Sequence, residues 1–596
     1  MENAVAEVNA VLAPNQLATQ ISYMWDNLNN NRRNWLNEKK ELRDYLFATD
    51  TTKTANSTLP WKNKTTLPKL CQIRDNLHAN YMSALFPNDD WMKWEGGTED
   101  DVTKAKSKAI ESYMGNKVRE SNFRTEISKL LYDYIDYGNA FYDTIWENNY
   151  TIDSETGETI PGYIGPRLVR VSPLDIVFNP LAADFDQSYK ICRYIKTIGE
   201  LKVDLDNRPD LKYNKLIVDE IQNVRNGLAR FTAEDINKAA AIEVDGFGSY
   251  SDYLQSGYVE LIEFEGSIND QYTGELLKNV IITVVDRTKI LRIVPIPSWL
   301  GKSSKGHVQW RMRPDNSYGM GPLDNLVGMQ YRIDHLENLK ADAMDLAVHP
   351  PLAFTGNVEE FVWGPGAEIY IGEGGSVSEL GMSLNGVIQA NNEIAILEQK
   401  MEEMAGAPKQ AMGIRTPGEK TAFEVQTLEM AASRIFQNKI THFEVNLVEP
   451  ALNRMLELSR RNMDGSDLVR IMDDDLGVVE FLSVTKADIT ASGKLRPIGA
   501  RHFASQATMI QNLMGLVNSP LWADPGVRVN FSGKAVAKMV EDMLGLEKFS
   551  IYQENAQVFE SSEPASLPAQ APEDLMVADA TPTEAPSLPP EEDMSA

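Results

Sequence analysis

From Pro322 to Val348 the chain reads PLDNLVGMQYRIDHLENLKADAMDLAV, and from Val387 to Ala405 it reads VIQANNEIAILEQKMEEMA. In the first stretch Leu326, Met329, Ile333, Leu336, Ala343 and Ala347 recur at spacings of three and four, with Lys340 interrupting the line. In the second, Val387, Ala390, Ile394, Leu397, Met401 and Met404 repeat the scheme. That period predicts two helices, each with one apolar seam. His349-Pro350-Pro351 ends the first, because proline cannot continue a helical hydrogen-bond ladder. Between the two helices, Leu352 to Gly386 is rich in glycine and aromatic residues and reads as a small β module.

Outward from this core the chain divides by period. Toward the N-terminus, Leu17, Ile21, Met24 and Leu28, continuing through Trp35, Leu42 and Leu46, predict one helical run, broken at Asp50-Thr51-Thr52. Leu70, Ile73, Leu77, Tyr81 and Leu85 predict another, and two more follow at about 102–117 and 122–137. The middle is strand-like: Ala140 to Trp146, Arg167 to Val171, Gly257 to Phe264 and Asn279 to Val285, with a helical insert over Ile198 to Ala240. Past Ala405, a mixed-charge loop runs to Lys420. Thr421-Ala422-Phe423-Glu424 then has the capping-box pattern of a new helix, reaching about Arg461 with a kink expected at Pro450. Leu468 to Ser483 reads as strands around Asp473-Asp474-Asp475, and Ala500 to Leu516 and Gly533 to Leu546 as helices. Residues 560–596 hold nine carboxylates, seven prolines and no Lys or Arg, too polar to bury a core. The fold class expected is α+β, mainly helical.

The whole chain has 596 residues, 58 Lys and Arg against 86 Asp and Glu, and a net charge of −28. With 42% hydrophobic and 24% charged residues it is globular rather than fibrous or wholly disordered, and long enough for several packed units. Such acidity argues against a protein that grips DNA over its whole surface, yet excludes neither a local basic ring nor a surface past which DNA slides without sticking. Cys71 and Cys192 alone make neither a disulfide framework nor a cysteine zinc site, which fits a reducing compartment. The first residues lack a signal-peptide pattern and no apolar run approaches a bilayer span, so a cytoplasmic chain without a membrane partner is expected.

Chemical motifs are weak. Gly413 to Thr421 resembles a phosphate loop, but Glu419 stands between Gly418 and Lys420 and puts a carboxylate among the phosphates; a turn before a capped helix explains it better. Gly246-Phe247-Gly248 and Gly319-Met320-Gly321 lack the third glycine of a dinucleotide fingerprint. The histidines at 78, 307, 335, 349, 442 and 502 have no ligand spacing and read as surface or packing residues. Asp473-Asp474-Asp475 reads as a solvated turn, and Arg208 spoils a calcium-like start at Asp204. No cofactor, metal or catalytic constellation is expected, and the chain is not read as an enzyme.

Four segments carry a resemblance. They are Tyr137-Gly138-Asn139-Ala140-Phe141 after an amphipathic helix; Val169 to Phe178; Asn316-Ser317-Tyr318-Gly319-Met320-Gly321-Pro322 leading into the first helix; and Thr421 to Val425 followed by Glu449 to Arg454. In this order, with the helix–β module–helix between, the chain resembles the portal, or head-to-tail connector, proteins of tailed bacteriophages, most closely the short-tailed type. The resemblance implies a dodecameric ring at one capsid vertex, made in the host cytoplasm and carried in the virion. Its partners would be double-stranded DNA read without sequence specificity, the large terminase subunit, the major capsid and scaffolding proteins, and head-tail adaptor or tail proteins. It implies a wing over 1–321, stem helices at 322–348 and 387–405, a clip at 349–386, a channel loop at 406–420, a long wing helix and strands over 421–483, a crown side over 484–559 and a disordered tail from 560. Asp334, Glu337, Asp342 and Asp345 lie off the first seam, toward the channel on this template. Lys340, Lys409, Arg415 and Lys420 would touch DNA phosphates, although the loop residues equally fit a solvated loop and Lys340 an intersubunit salt bridge. Phe361, Trp363 and Tyr370 would anchor partners at the clip or fill its core. Two other readings are a different head-tail ring component and a nucleotide-dependent enzyme using Gly413 to Thr421.

Overall fold

The computed structural model describes residues 15–87, 91–96, 101–152, 159–182, 184–208, 211–224, 258–299, 301–348, 350–356, 370–379, 385–406, 435–472 and 479–499. The chain divides into two units, Met1–Met509 and Ile510–Ala596. All described residues belong to the first, a mixed α and β body. The helices read at 500–516 and 533–546, and the acidic tail, lie outside the described residues.

The front holds α1 (Gln16–Asn31), α2 (Arg33–Phe47), two 3-10 turns (Thr51–Lys53 and Ala55–Thr58), α3 (Lys69–Leu85), β1 (Met92–Gly96), α4 (Asp101–Glu120) and α5 (Phe123–Asp136). The single run expected from Leu17 to Leu46 is in fact two helices that separate at Arg32. The guanidinium of Arg32 donates to the carbonyls of Pro173, Leu174 and Ile176 at 2.5–2.7 Å, and these bonds hold the break. The two helices serve different cores. Leu17, Ile21 and Trp25 of α1 pack with Val177, Ile191, Ile262, Phe264 and Ile282, whereas Leu42, Tyr45 and Leu46 of α2 join the main core.

The middle builds two antiparallel sheets. The first, in the order β3-β2-β9, uses β2 (Asn139–Ile152), β3 (Thr159–Val171) and β9 (Lys305–Gln309). The second, in the order β4-β5-β6-β7-β8, uses β4 (Ile176–Phe178), β5 (Lys190–Thr197), β6 (Tyr258–Asn269), β7 (Leu276–Val285) and β8 (Lys289–Pro295). Along β6 the two-residue period sends Ile262 and Phe264 to α1, and Val259 and Leu261 to α6 (Ile198–Asn207) and α7 (Lys215–Val224). Glu263 and Glu265 continue the second face and are buried. Both accept from the Lys305 ammonium (2.8 and 3.0 Å), Glu263 accepts also from Arg292 (2.6 Å), and Asp143 lies 3.2 Å from Lys305. This cluster joins the two sheets. Lys305 and Arg292 hold the Glu263 carboxyl down to about 2 in spite of its burial. Removing the Lys305 ammonium would strand buried carboxylates, a far larger penalty than the pairing itself contributes.

The hairpin of β10 (Arg311–Arg313) and β11 (Asn316–Met320) leads through a 3-10 turn, Asp324–Leu326, into α8 (Val327–Val348). A two-stranded hairpin, β12 (Leu352–Thr355) with β13 (Ser376–Glu379), then connects to α9 (Asn385–Ala405). Residues 435–443 are helical, pass through a π turn at Glu444–Val448 and continue as α10 (Glu449–Asn462). The kink expected at Pro450 therefore takes the form of a wider turn just before it, because the proline has no N–H to donate and its ring crowds the carbonyl four residues back. β14 (Ser466–Met472) and β15 (Val479–Thr485) form a hairpin, and β16 (Gly493–Pro497) pairs with β1, so residues 484–499 are stitched to the front of the chain. The capping box at Thr421 lies outside the described residues.

His307 on β9 is half-buried, stacked on Phe141 (centroids 4.4 Å), and donates from Nε2 to Asn139 Oδ1 at 3.0 Å. Burial, with Lys190 nearby, pulls its pKa down to about 3. The unfolded chain takes up this proton near pH 6.5 and the folded chain does not, so stability falls as pH drops from 6.5 toward 3, by roughly 1.4 kcal/mol per pH unit from this group. Unfolding of a His307→Leu variant should have a correspondingly shallower pH slope in that window. An unchanged slope contradicts the assignment.

Candidate functional site

Two of the resembling segments meet at the base of α8. Gly138 has φ of +69°, and a Cβ there would lie 2.3 Å from the backbone nitrogen of Gly321. Only glycine allows this approach. Asn139 completes the junction, its Oδ1 accepting from Gly319 N–H at 2.7 Å and its Nδ2 donating to Gly319 O at 3.2 Å. Asp324 then takes Gly321 N–H at 2.8 Å and the ammonium of buried Lys39. These contacts set the direction in which α8 leaves the body.

A second feature grips α8 along its side. Residues 62–68 and the first turn of α3 lie against it, and Gln330, Asp334, Asn338 and Asp342, each four apart and hence on one helix face, bind their backbone. Leu70 N–H donates to Gln330 Oε1 (3.2 Å), whose Nε2 donates to Leu67 O (2.5 Å). Leu67 N–H donates to Asp334 Oδ1 (3.0 Å). Thr65 exchanges two bonds with the Asn338 amide (2.8 and 2.7 Å), and Lys62 and Asn63 N–H donate to Asp342 (3.1 and 3.0 Å). Asn63 Nδ2 adds Asp342 (2.8 Å) and Asp345 (2.9 Å). At the other helix, Lys69 of α3 and Glu402 of α9 form a buried ion pair at 2.6 Å.

The expected channel-facing carboxylates are thereby corrected. Asp334 is fully buried, Asp342 and Asp345 bind the 62–63 segment, and Glu337 holds Lys340 at 2.5 Å. Burial pushes the Asp334 carboxyl up to about 7 against the pull of its Leu67 and Gln330 bonds. The Lys62 and Asn63 bonds hold that of Asp342 below the usual range, against the effect of burial. Lys340 finds its partner within its own helix.

The apolar seams are also divided. Leu326, Ile333 and Leu336, with Ile394 and Met401 of α9, sit in the main core, and Met329, Ala390 and Leu397 pack against it. Ala405 is buried where the pattern named Met404, which is exposed. Beyond Asn338 the burial stops. Ala347, Leu339, Met344, Leu346 and Val348 (68%) are exposed, as are Ile388 (60%) and Ile396. α8 leaves the core and α9 returns to it, bridged by Arg332 and Glu393 at 3.0 Å. The two helices carry three cations against eight carboxylates. In the hairpin Phe354, Tyr370 and Ile371 are exposed. Phe361, Trp363, Lys409, Arg415, Lys420 and the Gly413–Thr421 stretch lie outside the described residues.

Among the described residues no group of three or more His, Cys, Asp or Glu side chains is placed to hold a metal, and no helix is long and apolar enough to cross a membrane. Asp204 is paired with Lys196 at 2.5 Å. No known protein family and no curated protein matches the chain.

Asn338→Ala would leave the N–H and C=O of Thr65 without their partners, at a cost of about 1–3 kcal/mol. Hydrogen exchange at residues 62–67 should accelerate while that of β5–β7 stays unchanged. Unaltered exchange at 62–67 contradicts the grip.

Proposed function

We propose that this chain is the subunit of a portal ring of the tailed-bacteriophage type, a non-enzymatic conduit for double-stranded DNA. One observation carries the reading: the α8–hairpin–α9 element is rooted in the body at one end and bare and apolar at the other. Each such side chain gains about 1.5–3 kcal/mol on burial, so the outer half calls for a protein partner. The bare residues are not confined to one side. Leu339 and Leu346, seven apart, share a face, whereas Met344 and Val348, four apart, lie roughly 140–180° round the helix. A subunit in a closed ring has a neighbour on each side and needs two such faces; a single binding partner needs one.

Two of the pair's three cations are already engaged within the subunit, Lys340 by Glu337 and Arg332 by Glu393, so helices of this kind lining a lumen offer a sliding duplex little to stick to. Within this reading 322–348 and 387–405 are the stem, the hairpin belongs to the clip, and 406–420 is the channel loop. The clip would receive the terminase large subunit during packaging and an adaptor or tail protein afterwards. The terminase supplies the energy of packaging. The wing would face capsid and scaffolding proteins, in the host cytoplasm during assembly and in the virion thereafter.

The double variant Leu346→Glu, Val348→Glu should release monomers or small oligomers in mass photometry, with unchanged far-ultraviolet circular dichroism. Rings of wild-type mass from that variant contradict the reading. Shortening 406–420 should leave rings intact and impair packaging or DNA retention; loss of the rings would make that loop an assembly element instead.

A further inference from the structure

Two of the four side chains that hold the 62–70 backbone are carboxyls, and their surroundings differ. Asp342 is half-buried and has the charge of Lys62 acting on it. Asp334 is completely inaccessible. Its Oδ1 accepts from Leu67 N–H (3.0 Å) and from Gln330 Nε2 (2.9 Å), whereas its Oδ2 is buried without a partner.

Among the described residues, the charged and titratable groups around Asp334 supply no counter-charge. On α8 itself Glu337 has the same sign and is engaged by Lys340. Tyr45 of α2 faces Asp334, with Glu41 and Tyr331 beside it; burial, then Glu41 and Asp334, push its phenol up, so it stays neutral. The lysines of the facing segments act elsewhere. Lys53 acts on Asp50 and Lys62 on Asp342, Lys64 donates to Leu59 O (3.4 Å), and Lys69 pairs with Glu402. A carboxyl taken out of water with no cation beside it favours its neutral form. Protonation costs the grip nothing, because both bonds to Asp334 run to Oδ1 and leave Oδ2 for the proton. Ionisation leaves a charge in a closed site, and opening the contact returns that charge to water.

We propose that Asp334 carries a proton in the closed contact and makes the attachment of residues 62–67 to α8 a pH-sensitive joint, held while the carboxyl is neutral and released as it ionises. The joint lies within one subunit and stands or falls independently of ring formation. The direction follows from linkage. The closed form holds the proton up to about pH 7, and a carboxyl in water loses it near its ordinary value of 3.8. Each pH unit between these limits therefore favours opening about tenfold, and above about 7 this group adds nothing more. The slope is opposite in sign to that of His307, so the two groups are separable.

The test is hydrogen exchange of the full chain from pH 5 to pH 9, read as protection relative to the intrinsic rate. Protection of the Asn63, Thr65 and Leu67 amides should fall about tenfold per pH unit up to about 7 and then level off, while that of β5–β7 does not fall. Asp334→Asn has the shape of the neutral acid and cannot ionise. Its protection should be flat over the range and exceed that of the wild type at pH 8. Glu337→Gln, which removes the charge of like sign, should move the fall to lower pH. A flat wild-type profile overturns the proposal, as does a fall that persists in Asp334→Asn. Looser 62–67 amides in Asp334→Asn than in the wild type at pH 8, the outcome if the carboxylate itself holds the segment, overturn it as well. If Asp334→Asn does not fold, the wild-type and Glu337→Gln profiles decide.

Discussion

The interaction on which the rest depends is the grip of α8 on residues 62–70. An extended segment has unpaired N–H and C=O groups on alternate sides, and a helix presents every fourth residue on one face. Gln330, Asp334, Asn338 and Asp342 exploit the coincidence, with side-chain amides and carboxylates reaching backbone groups of Asn63, Thr65 and Leu67 and of Leu70 at the start of α3. The helix is thereby fixed over its first four turns. Its outer turns, past the end of the grip, are exposed. A helix pair rooted this firmly can leave its far end uncovered without fraying, which a pair held by a seam alone could not.

The same root explains why two distant segments matter. Gly138-Asn139 and Gly319-Met320-Gly321 touch through backbone and through the Asn139 amide, so the turn after α5 dictates the exit of α8. His307 shares Asn139 Oδ1, and Lys305, two residues earlier on β9, anchors the ionic cluster between the sheets. The β-rich middle and the helix pair thus form a continuous mechanical path. On the portal reading, that path connects the part facing the capsid with the part lining the lumen.

Much of the architecture was legible from apolar period. Leu326, Ile333 and Leu336, with Ile394 and Met401, fall where spacing placed them, because burial is what that spacing encodes. Polar contacts were not legible. Asp334, Asp342 and Asp345 have the composition of a solvated face, and only their geometry against 62–70 distinguishes a grip from a surface. A signal did exist: four amide or carboxylate residues at strict four-residue spacing, and a run from Thr51 to Arg74 without a single carboxylate. Glu263 and Glu265 carry no sequence signal of their burial either, since charges in strands usually point to water. The pairing of β1 with β16 joins Met92 to Pro497 and has no local signature, because register across such a separation is set by tertiary packing alone. The break at Arg32 was hidden by an apolar period that continues across it.

The central claim is that the bare outer half of the α8–α9 pair is covered by neighbouring copies on both sides. Electron microscopy of the purified full-length protein, viewed down its symmetry axis, tests it most directly. The account predicts a closed annulus whose inner wall is made of paired helices and whose opening admits a DNA duplex. Monomers with the two helices exposed to solvent, or assemblies in which another surface makes the contacts, would contradict it.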